Sequence, residues 1–430
     1  MTLTLRAVGV TDVGRKRKNN EDVFVADEEL GLFAVADGMG GHRAGEEASR
    51  LAVETVGDHL RAHQDVVAAL ARDPSEANKL AAHQLVYDAF QKACATVYAA
   101  QEADERKKGM GSTLVSVVRA GDRAIVGHVG DSRVYLFRGG SVYRLTEDHT
   151  LAEAQVKQGM LSREAAEKSD FRNVLLRAIG AQPSVQVDTL LMDLLAGDVL
   201  LLCSDGLHGY VRDEELPGLL ARQATPADLP RALVDLANER GGKDNITALV
   251  VECRGEERDS LPASTRIEAI RKLSLFRSLD YREQVEVISL ARLRGVPAGE
   301  LLLREGTKGD EMFVVTSGRL SVERGGKVLA ELGPGTCVGE MALVDDEPRS
   351  ADVRTLEPCE LLVVTRKEMV ALMQREPVLG NKILLRLVRT LAARLRAANA
   401  SYTHMEEDPP ADDRPDVPES GTPPTERVPS

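Results

Sequence analysis

The 430-residue chain has no tryptophan and only 3% aromatic residues, so its cores must be built from Leu, Val, Ile and Ala. It has no run of about 18 apolar residues, which excludes an ordinary membrane-spanning helix. The first residues, MTLTLRAVGVTDVG, lack the apolar segment of a signal peptide. Cys94, Cys203, Cys253, Cys337 and Cys359 are scattered without CxxC spacing, as expected of reduced core residues in a cytoplasmic protein. Positive charge is in deficit, 55 Lys and Arg against 68 Asp and Glu, a net of −13. That balance argues against nonspecific binding of nucleic acid or an anionic membrane. With 43% hydrophobic and 29% charged residues, the chain is long enough for two or three globular domains.

The most informative stretch is Phe33 to His42, FAVADGMGGH. Leu32 to Ala36 are all apolar and predict a buried strand, which Gly38, Gly40 and Gly41 terminate. Asp37 at that strand end is either a cap for the following helix or an oxygen ligand for a hard cation. Apolar residues at Ala48, Leu51, Ala52, Val56 and Leu60 predict a helix over Arg43 to His63, and a second is expected over Ser75 to Gln101. From Gly111 the period changes to short β-branched runs separated by Gly-Asp and Gly-Gly turns, a meander of strands. The charged segment Leu151 to Asn173 reads as an exposed helical excursion. Then DVLLLCSDG, residues 198 to 206, repeats the opening theme, and GGKDNITALVV places Asp244 just before another buried strand. Neighbouring strands can therefore bring Asp37, Asp205 and Asp244 to one sheet edge, with Asp131 of HVGDSR as a fourth candidate. Acids gathered this way repel one another unless cations bind. An all-oxygen set without His or Cys suits Mg²⁺ or Mn²⁺ rather than zinc.

TDVGRKRKNNED, FAVADGMGGH, GSTL, HVGDSRVYL, LTEDHT, CSDG and GGKDNIT follow one another in order. Over about Met1 to Arg254 the chain thereby resembles the bacterial metal-dependent Ser/Thr protein phosphatases of the PPM, or type 2C, family. The resemblance implies an α-β-β-α sandwich with two or three Mn²⁺ or Mg²⁺ ions at one edge. Asp37 would bridge two ions and the Gly38 carbonyl would bind one of them. Asp205 and Asp244 would hold the other, Glu21 and Asp22 would order metal-bound waters, and Asp131 would help hold a third ion. Arg17 would grip the substrate phosphate, Leu151 to Asn173 would be the substrate-access flap, and a hydroxide bridging two ions would be the nucleophile. Phosphoprotein substrates and Ser/Thr kinases are the implied partners. Met39 stands where animal members carry a His, which leaves His42, His149 or water as the proton donor; His208 reads as structural.

Residues 255–264 read as a linker, and a helical stretch is expected from Ile267 to Leu293. Short strands with SGR, RGG and GPG turns then predict a β jelly roll with flanking helices, making the chain α+β overall. VGEMALVDDEPRSADVR, residues 338 to 354, offers a carboxylate and a guanidinium at the spacing of a ribose-phosphate loop. Residues 265–400 resemble the cyclic nucleotide-binding domains of catabolite activators and regulatory kinase subunits. By that resemblance Gly339, Glu340, Arg349, Ser350 and Ala351 would bind a cyclic nucleotide, cAMP or cGMP, with Glu340 on the ribose and Arg349 and Ser350 on the phosphate. Arg396 to Asn399 lacks the hydroxyl expected at the base. The helix carrying Ile383, Leu387, Leu391 and Leu395 is expected to pack on the barrel, with pairing between subunits the alternative. Residues 401–430 form an acidic, Pro-rich tail expected to be disordered. The leading reading is a phosphatase regulated by a cyclic nucleotide; the alternative is a degenerate phosphatase scaffold acting as a nucleotide-dependent sensor. A DNA-binding activator would need a reading head that the sequence lacks.

Overall fold

The computed structural model describes residues 3–40, 44–255, 276, 279–343 and 345–406. Up to Arg254 the chain forms two antiparallel sheets packed face to face. One runs in the order β1 (Thr4–Asp12), β11 (Ile246–Arg254), β10 (Val199–Cys203), β7 (Arg133–Arg138), β8 (Ser141–Arg144). The other runs β2 (Asp22–Asp27), β3 (Leu32–Met39), β5 (Leu114–Ala120), β6 (Arg123–Val129), β9 (Asp188–Asp193), with the short β4 (Gly111–Ser112) paired to the end of β3. Helices α1 (Ala44–Ala62), α2 (Gln64–Arg72) and α3 (Glu76–Glu102) cover the second sheet. The segment after β8 carries α4 (Leu151–Lys157) and α5 (Arg163–Glu167); α6 (Asp205–His208), α7 (Leu216–Ala221) and α8 (Leu229–Glu239) cover the first sheet. Helix α2 went unforeseen: it buries one side chain, Leu70, too little to leave a periodic signature.

The four layers explain the continuous apolar runs, because a strand buried on both faces has no polar side to show. On β3, Leu32, Ala34 and Ala36 face the helices, while Phe33 and Val35 face the opposite sheet. On β10, Leu200 and Leu202 point between the sheets, and Val199, Leu201 and Cys203 point to the covering helices. Each fully buried Phe or Leu contributes about 1.5–3 kcal/mol relative to exposure. The same alternation puts Asp37, in phase with Phe33 and Val35, at the end of the inter-sheet core. Register brings the other acids to that end. Asp22 pairs with Asp37, Asp12 pairs with Ile246 two residues after Asp244, and Cys203, two before Asp205, pairs with Arg133, two after Asp131.

The later part of the chain begins, among the described residues, with Phe276, Leu279 and α9 (Tyr281–Leu290). Asp280 caps α9, accepting from the Glu283 N–H at 2.9 Å while the Glu283 carboxylate accepts from the Asp280 N–H at 3.0 Å. The helix predicted to reach Leu293 stops at Leu290. Residues Arg292–Val296 instead form β12, paired along its length with β19 (Cys359–Thr365), because tertiary pairing overrides the weak local preference of RLRGV. Residues 256–275 and the expected linker beyond 255 lie outside the described residues.

Two four-stranded sheets make the barrel. One is β12, β19, β14 (Glu311–Ser317), β17 (Cys337–Val338); the other is β13 (Leu301–Leu303), β18 (Asp352–Thr355), β15 (Leu320–Arg324), β16 (Lys327–Leu332). Phe313, Val315, Leu320, Val353 and Leu361 fill it. Helices α10 (Arg366–Arg375) and α11 (Pro377–Glu406) follow, and α11 packs Ile383 and Leu387 under the barrel while Leu395 is exposed. Helix α11 runs past the boundary expected at residue 400; residues 407–430 lie outside the described part. The five cysteines are buried and none is in a disulfide. No helix among the described residues is long and apolar enough to cross a membrane.

Candidate active site

Main-chain groups and hydroxyls position the acids at the sandwich end. Asp37 lies two residues before the end of β3, where its N–H donates to Thr113 Oγ1 at 3.0 Å and its carbonyl accepts from the Thr113 N–H at 2.9 Å. Gly38 follows because nothing larger fits: a Cβ there would meet the Gly45 carbonyl oxygen at 2.0 Å. The Gly38 N–H donates to the Glu21 carbonyl at 3.0 Å, and that same oxygen accepts from Ser49 Oγ at 2.6 Å. Asn245 fixes the neighbouring loop, with Oδ1 accepting from the Glu21 N–H and Nδ2 donating to the carbonyls of Val13 and Asn19. Asp205 opens α6 directly after β10, and a Cβ on Gly206 would lie 1.8 Å from the Asn245 carbonyl oxygen.

Asp22 is the most constrained of these side chains. Its Oδ2 accepts from Ser204 Oγ and Thr247 Oγ1, both at 2.7 Å, while Oδ1 is buried with no donor. Asp205 Oδ1 is likewise buried and without a partner. Burial, with the nearby carboxylates of Asp205 and Asp244, pushes Asp22 up to about 7. Burial, then Asp22, Asp205, Asp131 and Asp244, holds Asp37 well above the usual carboxylate range. Asp131 is raised by burial and by Asp205 and Asp148, Asp205 by burial and Asp244, and Glu21 by burial. Unpartnered oxygens in a set of mutually repelling carboxylates are the donor chemistry of a hard-cation site.

The structure brings Glu21, Asp22, Asp37, Asp131, Asp205 and Asp244 into one electrostatic unit. Among the described residues, however, the group of three potential ligand atoms within 4.8 Å is His128, His149 and Asp188, not a trio of these acids. Acids shared between two ions about 3.5–4 Å apart need not all fall within one ion's sphere. Arg17 is half-exposed, and its Nη2 donates to Asp244 Oδ2 at 2.7 Å, a contact that sequence reasoning did not anticipate. That bond, followed by the charges of Asp244, Glu21 and Asp37, raises the Arg17 pKa.

The proton-donor candidates separate. His208 Nε2 lies 2.9 Å from the Asp131 carbonyl, and burial then Arg133 lower it to about 3, so it stays neutral and structural. His149 is buried, its Nδ1 accepting from the Gly130 N–H at 3.1 Å. His42 lies outside the described residues. Sequence reasoning missed Ser204, Thr247 and Asn245, which stand inside CSDG and KDNIT and so carried a signal.

In the barrel, a cleft of 370 Å³ is lined by Leu301 to Arg304, Thr307, Lys308, Gly309, Glu311, Phe313 and Arg349. Arg349 donates to the carbonyls of Glu311 at 2.7 Å and Gly339 at 3.2 Å. It fits because Gly309 and Gly339 lack a Cβ, which would lie 2.7 and 2.6 Å from its nitrogens. Glu340 is buried at the start of a 3₁₀ turn, Glu340–Leu343, and does not line the cleft. Ser350 is exposed and Ala351 half-buried.

The protein phosphatase 2C family profile matches residues 14–243, and the cyclic nucleotide-binding domain profile matches residues 293–376. The serine/threonine phosphatase stp of Listeria welshimeri is 38% identical over 251 residues, 56% of this chain and 93% of that protein. The protein phosphatase PhpP of Streptococcus pneumoniae is 36% identical over 252 residues, 58% of this chain and 97% of that protein. The crystal structure of the Mycobacterium tuberculosis serine/threonine phosphatase PstP/Ppp covers 59% of this chain and 100% of its own, at 33% identity and a TM-score of 0.51. The S. agalactiae serine/threonine phosphatase covers 58% and 99%, at 33% and 0.52. With a matching sandwich, a gathered acid set and a family profile spanning more than half its length, the chain belongs to the protein phosphatase 2C family and is a protein serine/threonine phosphatase with a cyclic nucleotide-binding type domain after its catalytic domain.

Proposed function

We propose that the chain hydrolyses phosphoserine and phosphothreonine in cytoplasmic phosphoproteins with the help of two or three Mn²⁺ or Mg²⁺ ions, under control of a cyclic nucleotide. Asp37, the Gly38 carbonyl, Asp205 and Asp244 would hold two ions, and Glu21, Asp22 and Asp131 would hold their waters and a third ion. When bound, such ions lower the pKa of water and neutralise charge on the phosphoryl oxygens. The observation that carries this reading is the pair of buried oxygens without donors, Asp22 Oδ1 and Asp205 Oδ1, within a set of mutually repelling acids.

The chain's own residues supply orientation. Ser204 and Thr247 hold one Asp22 oxygen and so turn the other inward. Thr113 and Ser112 pin the Asp37 main chain. Arg17, half-exposed beside Asp244, reaches the mouth of the site, where its planar fork can take two phosphate oxygens. No side chain needs to be phosphorylated along the way, and the leaving hydroxyl takes its proton from water or from His42, since both ring nitrogens of the buried His149 are engaged.

For the later domain, Arg349 at the cleft is the anion-binding group and the Gly339 turn its support, with Ser350 and Ala351 beside it; Glu340 is assigned to the ribose. The cleft volume falls within the range of small-ligand sites, about 300–1,000 Å³. The test has two arms. Asp205→Ala should abolish Mn²⁺-dependent hydrolysis of phosphopeptides, and a variant that stays active overturns the metal assignment. Calorimetry should show cAMP or cGMP binding that Arg349→Ala removes. No binding, or binding indifferent to the substitution, overturns the ligand assignment. An inactive wild type that still binds nucleotide would favour a sensor built on a degenerate phosphatase.

A further inference from the structure

Helix α9 follows the catalytic domain in sequence, yet two of its side chains complete that domain's inter-sheet core. Tyr281 and Val285 pack with Leu136, Leu200 and Leu190, while Val287 lies in the core beneath the barrel and Ile288 packs against both. The Tyr281 ring stacks on Tyr143 of β8 with centroids 4.0 Å apart, and its hydroxyl accepts from Arg138 Nη1 at 2.9 Å. Arg138 is itself locked by the buried Asp198 at 2.5 and 2.7 Å. From the barrel side, Arg375 of α10 and Lys382 of α11 bind Glu286 and Glu283 of α9, each at 2.5 Å. One helix is thus fastened to both domains.

The residue after Tyr281 extends this fastening toward the active site. Arg282, only 16% exposed, places Nη2 at 3.4 Å from Asp188 Oδ2 and Nη1 at 3.8 Å from Glu147 Oε2. Glu147 also binds Lys157 of α4 at 2.7 Å. Asp188 accepts from Arg177 at 2.8 Å and lies 3.3 Å from His149 Nε2. His149 holds the turn before Asp131 from both sides: its N–H donates to the Gly130 carbonyl at 2.8 Å, and its Nδ1 accepts from the Gly130 N–H at 3.1 Å. The same residue's carbonyl accepts from the Leu176 N–H at 2.7 Å, and Thr150 bridges Leu175, which closes the base of the 151–173 excursion. His128, His149 and Asp188 are close enough for a metal, but two guanidinium groups already occupy the Asp188 carboxylate.

We propose that Arg282 is a positioning residue supplied to the phosphatase by the following domain: through Asp188 and His149 it sets the Asp131 turn, and through Glu147 and Asp188 it sets the base of the flap. Docking of the C-terminal region is thereby read at the catalytic edge. The role of Asp131 in this chain of contacts rests on the proposed metal centre; the hold on the flap does not.

The test uses the full-length chain with Arg282→Ala, Arg282→Lys, Asp188→Asn and Tyr281→Phe. Two readouts are taken: trypsin cleavage within residues 151–173 of EDTA-treated protein, and the Mn²⁺ concentration giving half-maximal hydrolysis of p-nitrophenyl phosphate. Arg282→Ala should raise both by about three- to tenfold, the scale of coupling between contacting residues, and Arg282→Lys should restore part of each. Tyr281→Phe, which removes the hydroxyl contact to Arg138 but keeps the ring in the inter-sheet core and leaves Arg282 and Asp188 untouched, should lower the melting temperature and leave both readouts unchanged. Arg282→Ala added to Asp188→Asn should have less effect than alone. Unchanged readouts in Arg282→Ala, equal shifts in Tyr281→Phe, or additive effects with Asp188→Asn overturn the proposal. If Arg282→Ala does not fold, the same comparison is made with Arg282→Lys. If the enzyme needs no divalent ion, the metal reading fails while the trypsin result still decides the hold on the flap.

Discussion

Replacing Asp22 by Asn should stabilise the metal-free enzyme while weakening its hold on divalent ions. In the folded chain Asp22 is pushed up to about 7, from an ordinary value of 3.8, chiefly by burial. A carboxyl raised in this way binds its proton more tightly folded than unfolded. Its folded form is therefore unpenalised below pH 4, loses stability as pH rises through the window from about 4 to 7, and bears the full cost above. Three pKa units at 1.36 kcal/mol each give about 4 kcal/mol, an upper bound because protonating Asp205 or Asp244 would relieve part of the repulsion on Asp22. Asn keeps an oxygen for Ser204 and Thr247 and turns an amide toward the carboxylates of Asp205 and Asp244. At about 2–4 °C per kcal/mol for a domain of this size, EDTA-treated Asp22→Asn should melt several degrees above wild type at pH 8 and close to it at pH 4.5. Mn²⁺ should raise the melting temperature of wild type more than that of the variant, since only ligand bound to the folded state contributes. A variant less stable than wild type at pH 8, or one with the same loss between pH 4.5 and 8, would refute the reasoning.

Three further outcomes follow from particular contacts. Gly38→Ala places a methyl 2.0 Å from the Gly45 carbonyl and 2.8 Å from that of Glu21, so it should cost roughly 1–3 kcal/mol by overpacking and be read as a lower denaturation midpoint. Arg17→Ala should raise the KM for phosphopeptides about tenfold or more while leaving the fold intact, because Arg17 is half-exposed and pairs with Asp244 at the surface of the site; an unchanged KM would remove Arg17 from substrate binding. Arg138→Ala strands the buried Asp198 carboxylate and should destabilise the chain by about 3–5 kcal/mol, measured by denaturant titration.

How much of this was legible in sequence depends on what each residue had to do. FAVADG and VLLLCSDG could be read because a strand buried on both faces must be apolar throughout and must then end sharply. That end is where an acid can meet solvent-borne cations. The antiparallel register then does the rest, setting Asp22 opposite Asp37 and Asp205 two residues beyond a β10–β7 pair. The Arg17–Asp244 contact joins residues 227 positions apart, and no local pattern encodes it. Boundaries failed where tertiary pairing overrode local preference, as when Arg292–Val296 joined β19. In the nucleotide cassette the sequence joined Glu340 to Arg349, whereas the structure places Arg349 on the cleft and Glu340 under the adjacent turn.

Helix α9 shows the remaining limit and why it matters for function. Its apolar residues, Tyr281, Val285, Val287 and Ile288, occupy more than one helical face, which sequence alone reads as a buried helix of one domain. The structure divides those faces between two cores, Tyr281 and Val285 to the sandwich and Val287 to the barrel, with Ile288 against both. A helix shared in this way cannot shift with one domain without disturbing the packing of the other, since close-packed interiors transmit displacement instead of absorbing it. A ligand in the barrel needs only to favour one seating of α9 to act on the phosphatase, and a coupling of about 1–3 kcal/mol would change activity several-fold or more. Arg375 and Lys382 tie α9 to the helices after the barrel, and Arg282 ties it to Asp188, so these are the contacts such a ligand would have to act through. Regulation in either direction is compatible with such a helix. What the contacts do require is that cutting the chain before Tyr281 leave the inter-sheet core short of two buried side chains and Asp188 short of one cation.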